Sequence, residues 1–321
     1  MKKALILTVT VCLFLAACQQ DSGTTSNTIL DAPIDVVVLE NRFSIDESLG
    51  GRASASSDKR LIFTTQQDVD VIPSDFAPSV PEVSRDAEIL DIVKSSSQFA
   101  MLVRSGDQYR VVAACTESPV ATWRTIDSPA SGLLIVDQVV YGYILSDDVF
   151  AFFPSSCDCV DGFSLNLPIP AEILEKARYA RAFTQFRSQN GTIYGLNRMV
   201  NQIFVWTAAG GDPIDTIPIY DGAFDDNLFQ ISDRGPVAGN LSLRVSPTGD
   251  LLVGRSFGYP RGEGGSADAA RYRIDLVDPG TGTKEIWLVE DFPSAIEIDE
   301  DRLYVDSIRS SDGITGYYLP N

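Results

Sequence analysis

The chain contains no histidine, and this absence limits the chemistry that its polar side chains can perform. Histidine is the base of Ser-His-Asp and Cys-His hydrolases, a frequent zinc ligand and the usual proton carrier near neutral pH. These mechanisms are therefore excluded. The carboxylates, guanidinium groups, amides and thiols that remain are suited to calcium ligation, to the binding of polar ligands and to disulfide formation.

Calcium ligation requires several oxygen ligands, commonly with two or more carboxylates on one loop. The sequence lacks the D-x-D-x-D-G loop. Its local candidates are Asp225-Asp226-Asn227, and Asp158 with Asp161. No cofactor is predicted, and calcium is retained as the one candidate ion.

Three cysteines remain after the N-terminal region that contains Cys12 and Cys18. Because three is odd, at least one thiol is unpaired or bonded to another chain. The disulfide candidates are Cys115, Cys157 and Cys159. Two pairings stay open: a small ring between Cys157 and Cys159, or a bridge from Cys115 to one of them.

The charge balance excludes one class of partner. The chain has 25 basic and 44 acidic residues and a formal charge of -19. A protein that binds a nucleic-acid backbone needs Lys and Arg to displace counterions. We therefore expect no nucleic-acid partner.

The first 17 residues read as a signal peptide. A basic start at Lys2 and Lys3 precedes an apolar run from Ala4 to Leu15, which is too short to span a bilayer. The following Leu15-Ala16-Ala17-Cys18 resembles a bacterial lipobox, in which the cysteine is acylated. The alternative is an ordinary secretory signal that is cut after Ala17.

Lipidation of Cys18 would anchor the protein to the membrane of the bacterial cell envelope. Gln19 at the next position, rather than Asp, favours the outer membrane over the inner membrane in a Gram-negative source. Residues 18–33 are small and polar and predict a flexible tether. Residues 34–321 are then predicted to form one domain.

A polar turn followed at once by an apolar strand recurs along this domain. The segments are Ser57–Phe63, Ser105–Val112, Asp137–Tyr143, Gln189–Tyr194, Pro247–Val253 and Asp299–Val305. Their mean spacing of about 49 residues is close to that of a four-stranded propeller blade. Two outer hairpins, 202–219 and 271–289, fit the same pattern. The prediction is an all-β, six-bladed β-propeller of four-stranded antiparallel blades.

The two ends of the domain complement each other in this prediction. Only three strands follow residue 294, and Ile34–Leu39 is an orphan strand before the first repeat. Pairing of that strand with 314–319 would complete the last blade and remove two open edges. An open stack or two sandwiches would leave the orphan strand unexplained. Between the blades, a short helix is predicted over Pro170–Tyr179.

The segment from Asn197 to Trp206 reads NRMVNQIFVW and is similar to an NHL repeat. On these features the chain resembles the NHL-like and TolB-like superfamily of six-bladed propeller lipoproteins. That resemblance implies that loops joining the second and third strands meet at the central channel. The predicted ligand-binding residues are Asp147, Asn197, Arg198, Arg255, Tyr259, Arg261, Asp306 and Arg309.

The expected function is non-catalytic binding of a protein partner or small ligand at this channel face, in an envelope-anchored lipoprotein. The alternative is a calcium-dependent hydrolase or lactonase resembling the gluconolactonase-type propellers. In that alternative Asp147, Asn197 and Asp306 would hold the ion. No catalytic residue is predicted, because no nucleophile and base can be paired.

Overall fold

The computed structural model divides the chain into Met1–Pro33 and Ile34–Asn321. The residues that it describes all lie in the second part. They are 34–43, 53–55, 60–64, 69–73, 87–95, 98–115, 118–126, 130–146, 148–155, 161–176, 180–219, 231–232, 235–236, 239–258, 272–306 and 314–319.

The described residues are almost entirely β-structure. The strands are β1 (Asp35–Val38), β2 (Arg42–Phe43), β3 (Ala53–Ala55), β4 (Arg60–Thr64), β5 (Val69–Pro73), β6 (Ala87–Lys94), β7 (Gln98–Ser105), β8 (Gln108–Cys115), β9 (Ser118–Ile126), β10 (Gly132–Val136), β11 (Val139–Ser146), β12 (Val149–Pro154), β13 (Phe163–Asn166), β14 (Thr184–Gln189), β15 (Thr192–Asn197), β16 (Gln202–Thr207), β17 (Asp215–Pro218), β18 (Ile231–Ser232), β19 (Gly235–Pro236), β20 (Asn240–Val245), β21 (Leu251–Gly258), β22 (Tyr272–Asp278), β23 (Gly282–Val289), β24 (Ala295–Asp299), β25 (Arg302–Asp306) and β26 (Ile314–Tyr318). The predicted helix is confirmed as α1 (Ala171–Lys176), and a 3-10 turn follows at Ala180–Phe183.

Five sheets contain the four antiparallel strands of a propeller blade. In chain order, blade 1 is β6–β9, blade 2 is β10–β13, blade 3 is β14–β17, blade 4 is β20–β23, and blade 5 is β24–β26 with β2. The first strand of each blade is its inner strand. The inner strands of successive blades lie side by side, and β5 of the three-stranded sheet β3–β5 lies beside β24.

The prediction of six four-stranded blades is wrong, because the described residues form five. The repeat at Ser57–Phe63 contributes β4 to a sheet of only three strands in the described residues. The repeat at Ser105–Val112 joins the second and third strands of blade 1, whereas the later repeats join first and second strands. Both kinds of turn connect a polar tip to an apolar strand, so the pattern does not distinguish them.

The predicted pairing of residues 34–39 with 314–319 is also wrong. Strand β1 instead pairs in parallel with β23 and adds a fifth strand to the sheet of blade 4. The fourth strand of blade 5 is the two-residue β2, in which Arg42 and Phe43 pair with Tyr317 and Gly316. Residues 34–43 therefore form a strap across the outer edges of two blades.

Side chains hold the strap in place. Leu39 is 4% exposed and packs into the cluster of buried residues that blades 4 and 5 share. Arg42 pairs with Glu290 and lies over the ring of Tyr317, whose hydroxyl donates to Asp291. Burial, together with the hydrogen bond to Asp291, raises the pKa of Tyr317 well above its ordinary value.

The apolar core lies between neighbouring blades. Between blades 2 and 3, Phe186 contacts the rings of Tyr143, Phe150 and Trp206. Gly195 is required there, since a Cβ at that position would lie 2.6 Å from a ring carbon of Trp206. This close packing leaves the inner strands as the wall of the central channel.

Side chains link the inner strands of neighbouring blades. The Asp91 carboxylate on β6 accepts from the Leu133 amide on β10 at 2.6 Å. The Leu243 amide on β20 donates to the Gln185 side chain on β14 at 2.9 Å.

Among the described helices, none is long and apolar enough to cross a membrane.

Candidate functional site

Four charged side chains meet where the inner strands end. Lys94 Nζ on β6 lies 2.6 Å from Glu297 Oε1 on β24, and Arg244 Nε on β20 lies 3.1 Å from Glu297 Oε2. Arg187 on β14 lines the same small cavity. We call this cavity, which has a volume of about 70 Å³, the neck.

The alternation of residues along each inner strand places these groups. Arg244 lies between Leu243 and Val245, and Glu297 lies between Ile296 and Ile298. Successive side chains of a strand point to opposite faces, so a charged residue between two apolar ones faces away from their packing. In β20 and β24 this opposite face carries Arg244 and Glu297 to the neck, which both side chains line.

The neck has a net positive charge in an acidic protein. Three cations and one carboxylate line it, which gives these four groups a formal charge of +2, whereas the whole chain carries -19. Glu297 and Arg244 are 4% and 6% exposed, and Lys94 is 30% exposed. Cations in a partly buried recess attract anions more strongly than the same groups on an open surface.

A wider cavity of about 600 Å³ shares Lys94, Glu297 and other wall residues with the neck. We call it the vestibule. Its polar wall comes from the ends of inner strands and the hairpin turns that follow, and contains Ser95, Asp137, Gln138, Ser188, Gln189, Asn190, Ser246 and Asp299. A ligand whose anionic end occupied the neck would place its body in the vestibule.

The residues that were predicted to bind ligand lie at the other end of the inner strands, as far as they are described. Asn197, Arg255 and Asp306 pair with Thr184, Asn240 and Ala295, the first residues of β14, β20 and β24.

Asn197 is fully buried and serves its own loop. Its side-chain amide donates to the Ala180 carbonyl at 2.8 Å and to Thr184 Oγ1 at 2.9 Å, and its oxygen accepts from the Met199 amide. The carbonyl of the next residue, Arg198, accepts from the Gly239 and Asn240 amides. These contacts connect blade 3 to blade 4.

Arg255 belongs to a cluster inside blade 4. Its Nη1 donates to Asn201 at 3.0 Å and lies 3.7 Å from Asp275 Oδ2. Arg273 forms two hydrogen bonds with the same carboxylate. The side chains of Arg255, Arg273 and Asp275 are 0% exposed, and we call these three residues the sealed cluster.

Several predicted residues lie outside the described part of the chain. They are Cys18, Asp147, Tyr259, Arg261 and Arg309, together with Cys157, Cys159 and the candidate calcium residues Asp158, Asp225, Asp226 and Asn227. Cys115 ends β8, and its pairing stays a prediction. In the described ranges, no three His, Cys, Asp or Glu side chains form a group that could hold a metal ion.

The sequence reasoning missed the neck residues Lys94, Arg187, Arg244 and Glu297. A signal for two of them was present, because NLSLRV and AIEID each place a charged residue between two apolar ones in a mostly buried strand. These residues lie on strands, whereas the sequence analysis expects ligands at loops.

Side-by-side inner strands and radial four-stranded antiparallel sheets define the class of this protein: it is an all-β β-propeller. No family model and no curated protein sequence matches the chain.

Solved structures that resemble the chain include the β-propeller domain of Cps50 (Swd1) from Myceliophteria thermophila, with 11% identity and a TM-score of 0.44 over 88% of this chain and 100% of that one. The calcium-binding protein regucalcin from Agrobacterium tumefaciens has 14% identity and a TM-score of 0.41 over 89% and 95% of the two chains. Glutaminyl cyclase from Myxococcus xanthus has 10% identity and a TM-score of 0.39 over 73% and 90%.

Proposed function

We propose that this protein is a non-catalytic, envelope-anchored lipoprotein whose propeller binds a small anionic ligand through the neck. The observation that carries the proposal is that three cations and only one carboxylate line a recess that shares its wall with the vestibule. Guanidinium groups bind carboxylates with paired, charge-assisted hydrogen bonds. The ligand would therefore bind by its anionic end.

Glu297 organises the cations without cancelling their charge. It accepts from Lys94 and Arg244, and Arg244 Nε also donates to the Ile296 carbonyl at 2.8 Å. Arg187 donates to the Phe186 carbonyl at 2.7 Å. These contacts hold the side chains in the channel wall before a ligand arrives, which reduces the entropy lost on binding.

The lipid anchor is proposed from the lipobox-like segment that ends at Cys18. Its acyl chains would hold the protein at the membrane, and Gln19 favours the outer membrane. Fractionation of cells that express Cys18→Ser tests this part. We expect the variant to leave the membrane fraction; retention there would contradict lipid anchoring at this residue.

Arg187→Gln tests the anion site, because it removes one cation and leaves the contacts between Glu297, Lys94 and Arg244 in place. We expect the affinity of the full chain for acetate, measured by calorimetry at low ionic strength, to fall at least tenfold. Arg110→Gln is the matched control, since Arg110 is exposed on β8 and contacts Gln108. Equal affinities in the two variants would reject the neck as the binding site.

A further inference from the structure

The wall of the vestibule contains unused hydrogen-bonding groups. In the part of the chain that the structure describes, the side chains of Asp137, Gln138, Gln189 and Asn190 have no hydrogen bond or ion pair, although all four line this cavity. Another wall residue, Ser246, accepts from the Asp250 amide at 3.0 Å. The wall thus presents three amides and a carboxylate to whatever enters.

These groups project from tight turns that glycine would form more easily. Asp137, Gln138 and Asn190 have φ angles of 47°, 67° and 51°, in the left-handed region. Glycine adopts this region without steric cost and asparagine tolerates it, whereas glutamine is uncommon there. Two-residue hairpins of type I′ require φ > 0 at both central residues, so the turns fix where these side chains stand on the wall of the vestibule.

The polar side chains of the vestibule wall indicate the chemistry of the part of a ligand that lies outside the neck. An amide offers both donors and an acceptor, as does a hydroxyl, and the two pair well. The carboxylates of Asp137 and Asp299 accept hydrogen bonds and repel a second negative charge. The vestibule therefore suits a neutral body that is rich in hydroxyls.

The size of the vestibule agrees with a small sugar. Its volume of about 600 Å³ lies within the range of roughly 300–1,000 Å³ for small-molecule sites. The neck admits little more than one anionic group, because its volume is about 70 Å³. One negative charge at one end of the ligand fits both cavities.

We propose that the ligand is a carbohydrate with a single carboxylate, of the uronic acid type. Its carboxylate lies in the neck beside Arg187, and its hydroxyls pair with Gln138, Gln189 and Asn190. This inference rests on the proposed function, because it requires that the neck binds an anion.

Calorimetric titrations of the full chain with four probes separate the carbohydrate inference from the proposed binding of an anion in the neck. D-glucuronate has the charge and the hydroxyls, D-glucose lacks the charge, cyclohexanecarboxylate lacks the hydroxyls, and galactarate has a second carboxylate. We expect D-glucuronate to bind at least tenfold more tightly than each of the other three.

Two turn variants locate the hydroxyl contacts. Gln138→Gly and Asn190→Gly keep turns that accept glycine, so the fold is retained. We expect each to weaken D-glucuronate binding about tenfold and to leave cyclohexanecarboxylate binding unchanged. Asp148→Gly is the control, because Asp148 has a φ of 72° in the turn between β11 and β12 and does not line the vestibule.

The outcomes have distinct meanings. Equal binding of D-glucuronate and cyclohexanecarboxylate, both dependent on Arg187, would reject the carbohydrate and keep the anion site. D-glucose binding as tightly as D-glucuronate would reject the carboxylate. Absence of binding by every carboxylate, acetate included, would reject the proposed function and this inference with it. If a turn variant fails to fold, the comparison of the four probes on the unaltered chain still decides.

Discussion

The sealed cluster and the neck contain the same chemical groups and differ in their access to water. Each combines cations with one carboxylate on strands of the propeller. The side chains of the sealed cluster are 0% exposed, whereas Lys94 in the neck is 30% exposed and lines a cavity of about 600 Å³. Charge composition alone therefore does not separate a structural ion cluster from a ligand site; the adjoining space does.

An ion pair on the surface extends this comparison to a third site. Arg42 and Glu290 are 40% and 61% exposed. Removal of one partner from a buried ion pair strongly lowers the free energy of unfolding, because the other charge stays buried without compensation. Exposed pairs are screened by water and salt, so the same change costs little. The three sites should thus respond to neutralisation in order of their burial.

Asp275→Asn should have the largest effect. It removes the carboxylate from two buried guanidinium groups and should lower the free energy of unfolding by about 3–5 kcal/mol. Urea denaturation measures this, with Asp107→Asn in an exposed turn as the control. A loss below that of the corresponding neck variant would contradict the ranking by burial. If Asp275→Asn yields no folded protein while the control folds normally, the ranking is supported.

Glu297→Gln should lower the stability of the protein by an intermediate amount and should strengthen its binding of acetate. Loss of the contacts to Lys94 and Arg244 should cost about 1.5–3 kcal/mol, and Lys94 can still reach water. The formal charge of the neck rises, so acetate should bind several times more tightly. Glu300→Gln, in an exposed turn, is the control. Weaker acetate binding by Glu297→Gln would show that the arrangement of the cations by this carboxylate outweighs the gain in positive charge.

Tyr317 adds a pH-dependent test beside the exposed pair. Burial raises the pKa of its phenol above the ordinary value of 10.0. The stabilisation is therefore complete below about pH 10 and is lost as the pH rises above it, since the unfolded chain ionises first. Tyr317→Phe should reduce this alkaline loss in denaturation at a series of pH values. Tyr318→Phe, at a residue that is 42% exposed, should leave it unchanged; equal slopes in the two variants would contradict the assignment.

Arg42→Gln should have a small effect. Its exposed pair with Glu290 should contribute about 0.2–1 kcal/mol and less at high salt, because solvent screens it. Urea denaturation at low and high ionic strength measures both values. A loss comparable to that of Asp275→Asn would mean that the strap depends on this arginine and not on the burial of Leu39.

Calcium should have no effect on stability. The melting temperature of the full chain should be the same in excess calcium and in excess chelator, because Asn197, one of the three residues proposed to hold the ion, is fully buried and its side-chain oxygen already accepts from the Met199 amide. A rise of many degrees with calcium would favour the hydrolase alternative and the predicted set Asp147, Asn197 and Asp306.

Local features of the fold followed from the sequence. The hairpins at Asn190-Gly191 and Thr248-Gly249, the outer hairpin strands β16 and β23, and the helix after Pro170 lie where the residues indicate. Turn chemistry and the alternation of apolar residues act over a few positions, so one sequence is enough to detect them.

Long-range pairing did not follow from the sequence. Residues 34–39 are apolar enough to suit any exposed strand edge, and the register with β23 depends on which edge is open once the blades have formed. The number of blades was missed for a related reason, since one turn pattern served two positions within a blade.

The sequence by itself determined an acidic, histidine-free chain with β-strands at regular intervals and a lipobox-like N-terminus. Only the tertiary structure decided that Lys94, Arg187, Arg244 and Glu297, from four different blades, share one recess. The reason is physical: strand formation depends on neighbours along the chain, whereas the electrostatics of a channel depend on distances between strands that are far apart in sequence.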